Sequence, residues 1–114
     1  MEYPLAATTD AVVQVDGVTA LVPWVGIPAD RNPALVYLAG LAAGSRRTMR
    51  QALNVVAELL TAGRCDLVTL PWSELRFQHT QAVRAALQER YTAATANKML
   101  AALRQTLRMA WNLG

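Results

Sequence analysis

The chain has 114 residues, enough for one domain with a modest core and too few for two. It is 54% apolar and 17% charged, a composition of folded globular proteins that excludes the disordered class. The net charge of +3 is unevenly spread: residues 1–44 hold four acids against Arg31, a balance of −3, and residues 45–114 hold ten cations against four acids, a balance of +6.

The longest apolar runs, Ala20 to Ala29 with two prolines inside it and Pro33 to Gly44, fall short of the roughly 20 residues of a bilayer span. The start, MEYPLAATTD, is acidic and lacks the basic opening and apolar centre of a secretory signal. A single cysteine, Cys65, allows no internal disulfide, which suits the reducing cytoplasm.

Residues 1–31, interrupted by Pro4, Pro23 and Pro28, read as a non-helical, acidic leader. Within it VVQVDGVTALV alternates apolar positions around Asp16-Gly17, a pair suited to the type I′ turn that closes a two-residue hairpin. From Asn32 the period becomes helical. Asn32 is a natural cap and Pro33 a natural first residue of a helix facing inward through Leu35, Val36, Leu38, Ala39 and Ala42 and ending at Gly44. Ser45 should cap a second helix, SRRTMRQALNVVAELLTAG, with Met49, Leu53, Val56, Ala57 and Leu60 as its apolar stripe and Gly63 as its left-handed stop. CDLVTLPWSEL reads as a connection with a short turn over Pro71 to Leu75. FQHTQAVRAALQER predicts a third helix facing inward through Val83, Ala86 and Leu87. Thr92 or Thr95 opens a fourth, whose inward positions Ala96, Leu100, Leu103, Leu107 and Trp111 recur at helical spacing. The expectation is an all-α, four-helix bundle over residues 32–114, after the leader.

Catalytic patterns are sparse. His79 has no second histidine, CxxC pair or carboxylate pair near it in sequence, so it reads as a packed or surface histidine and no metal is implied. Cys65 lacks a histidine partner and reads as incidental, and neither phosphate-loop pattern, GxGxxG or GxxxxGK[ST], occurs; no cofactor is implied. The placement of cations is more telling. Arg46, Arg47 and Arg50 crowd the first turns of the second helix, where positive charge opposes the helix dipole. Free main-chain N–H groups there, with Ser45 and Thr48, could clamp a phosphate, and Gln51 and Asn54 on the same side could meet base edges in a major groove. The fourth helix repeats the arrangement: Asn97, Lys98, Ala101, Ala102, Arg104, Gln105 and Arg108 lie opposite its leucines, with no acid among them. A helical protein-interaction module and a small helix-turn-helix regulator are the competing readings. The second is disfavoured because Gly63 to Pro71 exceeds the usual tight turn.

SRRTMRQALNVVAELL resembles the opening helix of the core-binding, SAM-like domain of tyrosine recombinases, the phage-type integrases. TAATANKMLAALRQTLRMAWNLG resembles that domain's last helix, through Thr95, Asn97, Lys98, Leu100, Ala102, Leu103, Arg104, Leu113 and Gly114. The resemblance covers residues 32–114 and implies an orthogonal four-helix domain that grips one side of a recombination half-site in double-stranded DNA, beside other recombinase protomers. The second and fourth helices would meet the major groove. It also implies that the catalytic residues belong to a separate domain that would follow Leu113-Gly114, so no catalytic residue is assigned here and Tyr91 is not a nucleophile.

Overall fold

The computed structural model describes residues 21–114. The described residues form four helices, α1 (Pro33–Ala39), α2 (Ala43–Thr61), α3 (Phe77–Arg90) and α4 (Ala93–Leu113); a 3-10 turn at Ala29–Arg31 precedes α1, and a second at Trp72–Glu74 lies in the long connection between α2 and α3. The described residues contain no strand, and the hairpin expected around Asp16-Gly17 lies outside them. The all-α, four-helix expectation is met.

α4 is the hub, packing against α1, α2, α3 and the Trp72–Glu74 turn. One apolar core runs through the bundle, and its largest fully enclosed side chains are Trp72, Leu38, Leu53, Leu67, Leu70, Leu87 and Leu103.

α1 opens as its sequence predicts. Asn32 Oδ1 accepts from Ala34 N at 3.1 Å and Leu35 N at 3.5 Å, and Pro33 fills the first position, where its missing N–H costs nothing. Its end departs from expectation. The helix stops at Ala39, not Gly44, because the chain tightens there: Gly40 N bonds Tyr37 O and Leu41 N bonds Leu38 O. Leu38 is buried as expected and Leu35 and Val36 are half-buried, but Ala39 and Ala42, also expected inside, are exposed, and α1 buries Pro33 and Ala34 as well. Ala42, extended at φ −63° and ψ 153°, becomes the cap residue of α2. Ser45 is therefore inside the helix rather than its cap, and no side chain caps that N-terminus.

α2 buries Leu53, Val56, Ala57 and Leu60 as predicted, adds Ala52 and Leu59, and leaves Met49 half-buried. Its left-handed stop is Ala62 at φ 58°, one residue before the expected Gly63, which is itself at φ 83°. Gly63 N reaches back to Glu58 O at 3.1 Å, the bond of a Schellman ending. Thr61 secures this unusual alanine: its hydroxyl donates to Ala57 O at 2.8 Å and accepts from Cys65 N at 2.9 Å, while Arg64 Nε donates to Thr61 O at 3.0 Å.

The segment between α2 and α3 carries core. Leu67 and Leu70 are buried, and Trp72 is fully enclosed with its indole N–H on Leu67 O at 2.8 Å. Asp66 organises the turn by accepting from Val68 N at 2.9 Å and Thr69 N at 3.0 Å on one carboxylate oxygen. Burial pushes its carboxyl up, but the hydrogen bonds from Thr69 and Val68 outweigh this and hold it below the ordinary carboxylate range. Residues 21–31, read as leader, are tied to this segment: Leu21 is buried, and Trp24 N donates to Thr69 O at 2.7 Å.

In α3, Val83 and Leu87 are buried and Ala86 half-buried, as predicted. Thr92, not Thr95, caps α4, its hydroxyl accepting from Thr95 N at 3.3 Å. Ala96, Leu100 and Leu103 face inward, but Leu107 is only half-buried and Trp111 is 86% exposed. The interior side of α4 is centred further round than the leucines suggest and takes in Ala102, Thr106 and Ala110. Thr106 holds the one enclosed side-chain hydroxyl without a hydrogen-bond partner among the described residues.

Candidate nucleic-acid interface

The predicted site residues fall into two groups. On α2, Ser45, Arg47, Thr48, Arg50 and Gln51 are exposed, and their side chains have no hydrogen-bond or ion-pair partner among the described residues. Arg46 and Asn54 are already engaged. Arg46 Nε donates to Leu38 O at 3.0 Å and its Nη2 to Leu41 O at 2.7 Å, so its guanidinium closes the carbonyl end of α1. The placement that seemed costly for α2 is thereby explained for this residue, since a cation at the C-terminal end of a helix meets the favourable end of the dipole. Asn54 is half-buried and its Oδ1 accepts from Leu67 N at 2.9 Å, holding α2 to the following connection. It is not placed to read a base edge.

On α4, Asn97, Lys98, Arg104 and Arg108 are exposed, without a side-chain partner among the described residues. Thr95 is exposed, with its hydroxyl accepting from Thr92 Oγ1 at 3.1 Å. Ala101 and Gln105 are half-buried, and Ala102, expected on the outer face, is enclosed. No acidic residue occurs between Ala93 and Leu113, so nothing on the helix neutralises its three cations. α2 and α4 pack against one another, and Arg47 and Arg50 of the first and Lys98, Arg104 and Arg108 of the second are exposed. Five cations, Arg47, Arg50, Lys98, Arg104 and Arg108, are thus available to an anionic partner.

Sequence reasoning missed the neighbourhood of the last turn of α4. There Trp72, Leu75, Leu107, Ala110 and Trp111 border a groove of about 570 Å³, whose charged lining residue is Arg76. Arg76 N donates to the Nδ1 of buried His79 at 2.8 Å. Burial, and secondarily the Arg76 cation, keep that imidazole below its ordinary titration range, so it is a neutral acceptor. The available signal was Trp111 itself, placed seven residues after Arg104 and three after Arg108.

Among the described residues no three His, Cys, Asp or Glu side chains gather as a metal site requires, and no helix is long and apolar enough to cross a membrane. In comparisons with known proteins, the chain matches no family model, no curated protein and no solved structure.

Proposed function

We propose that this chain binds duplex DNA through the exposed sides of α2 and α4, as the non-catalytic core-binding clamp of a site-specific tyrosine recombinase. The observation that carries the reading is α4: a helix of 21 residues with Lys98, Arg104 and Arg108 exposed and no acid to pair with them. Helix surfaces that serve only solubility gain from glutamates four residues from a lysine or arginine. Their complete omission favours a partner that supplies the negative charge, and phosphates do so at the density of a nucleic-acid backbone. Arg47, Arg50, Lys98, Arg104 and Arg108 hold phosphates, and Gln51 and Asn97 are the remaining amides for base edges. Other protomers of the full recombinase would occupy the rest of the site. The chain alone is not an enzyme in this reading, and no covalent tyrosyl–DNA adduct should form.

Titration of a labelled duplex against salt tests it. Five neutralised phosphates give a log–log slope of about −4 to −5. Arg50→Glu and Lys98→Glu should each weaken binding and flatten that slope. Binding that is absent or indifferent to salt, together with a defined oligomer, would instead select the helical protein-interaction reading. That alternative draws support from the exposed apolar side chains Val22, Val25 and Trp111.

A further inference from the structure

The three tryptophans of the chain have different fates. Trp72 is fully enclosed and Trp24 half-buried, whereas Trp111 leaves 86% of its surface in solvent. Its position on α4 is specific. Seven residues make about 20° less than two full turns, so Trp111 stands almost in line with Arg104, and Arg108 lies between them on the same side. The cationic row of α4 therefore ends in an indole. Beneath that indole is the groove bordered by Trp72, Leu75, Leu107 and Ala110, with Arg76 at its edge. Largely apolar walls, one flat exposed aromatic ring and a flanking guanidinium, with Ser73 and Gly114 completing the rim, suit a ligand that is flat and apolar on its faces and anionic at its margin beside Arg76.

We propose that this groove takes an unpaired nucleobase. The base stacks on Trp111 over Leu107 and Leu75, its phosphate meets Arg76, and the adjoining backbone continues along Arg108 and Arg104. The inference rests on the nucleic-acid reading above and deepens it: α4 prefers a duplex whose strand is opened or frayed at the Trp111 end. Base-on-aromatic stacking is tolerant of sequence, so this contact selects for strand opening and not for a particular base. A duplex base pair keeps its faces covered by its neighbours and cannot enter.

The test uses a blunt duplex and the same duplex carrying a short single-stranded thymidine tail, with the whole chain, at one salt concentration. The expected result is about tenfold tighter binding of the tailed duplex, within the range one stacked base supports. Trp111→Ala should bring the tailed duplex down to the blunt value and leave blunt-duplex affinity and its salt slope unchanged. Trp111→Phe, which keeps a flat ring, should retain most of the preference. Since the indole is largely in solvent, neither variant endangers folding. Equal affinity of the wild-type chain for both duplexes overturns the proposal while leaving duplex binding in place, as does an equal loss on both in Trp111→Ala. A dimer that dissociates in Trp111→Ala assigns the groove to a second copy and overturns it too. Failure of the wild-type chain to bind either duplex removes the underlying reading as well.

Discussion

The guanidinium of Arg46 and the main-chain oxygen of Leu38 are joined at 3.0 Å, which makes an α2 side chain the closing piece of α1. A second bond to Leu41 O at 2.7 Å completes the fork. Arg46→Gln should lower stability by about 1 kcal/mol, the net worth of hydrogen bonding from a charged donor at a partly exposed site. It should leave the salt slope of DNA binding unchanged. Urea midpoints and salt titrations on Arg46→Gln and Arg50→Gln should thus give opposite patterns, a stability loss in the first and a slope loss in the second.

Asn54 makes the same distinction by another route. Its carbonyl oxygen satisfies Leu67 N, and Leu67 is buried. Removing the acceptor in Asn54→Ala leaves that N–H without a partner and should cost about 1–3 kcal/mol. Asn54→Asp keeps an acceptor and should recover much of the loss. Chemical denaturation of the two variants checks this, and the relative affinity of either for different duplex sequences should not move.

Asn32 joins two separated parts of the chain. It is fully enclosed, accepts from Ala34 N and Leu35 N, and donates Nδ2 to Val68 O at 2.8 Å. Asn32→Asp retains the cap and loses the donor. Asn32→Ala loses both. The expected order of stability is wild type, then Asp, then Ala, with the alanine variant about 2–3 kcal/mol down from the sum of a lost cap and an unpaired carbonyl. Thermal melts decide it.

His79 predicts a pH dependence. Its native pKa is lowered from the ordinary 6.5 by burial and by Arg76, so the unfolded chain binds the proton more readily than the folded one. The contribution to stability is complete above about pH 6.5 and is lost as the pH falls through the lowered native value. Asp66, also lowered, acts in a separate window below its ordinary 3.8. Urea midpoints measured from neutral to mildly acidic pH should decline for the wild-type chain and stay flatter in His79→Gln.

Much of this fold is legible in the sequence because its strongest determinants are local. The Asn32-Pro33 pair marks the start of α1, the spacing of Leu53, Val56 and Leu60 marks the inner side of α2, and Ala96, Leu100 and Leu103 mark that of α4. The misreadings arise where a tertiary bond overrides a local preference. Gly44 and Ser45 look like a stop and a cap, yet α1 ends at Ala39, five residues before Gly44, and the Arg46 side chain reaches back to Leu38 O at that end and to Leu41 O just beyond it. Ala62 accepts the left-handed turn ahead of Gly63 because the hydroxyl and carbonyl of Thr61 tie down the residues on either side of it. Trp111 looks like the last member of a leucine stripe, but the interior of α4 is centred on Ala102, Thr106 and Ala110, small residues that carry a weak hydrophobic signal. For the candidate site, the outward cations of α4 are legible from periodicity alone. That Arg46 and Asn54 are structural is not, since their partners Leu38, Leu41 and Leu67 are set by how the helices meet.

The hub position of α4 has a mechanical meaning. The rod whose dry side is clamped by all three other helices is the same rod whose wet side carries Lys98, Arg104 and Arg108, so it cannot tilt or slide without breaking the interior. Its outward side is a fixed ruler. Distances between successive charges are then a property of the scaffold itself, and the outward residues can change without renegotiating how the molecule stays folded.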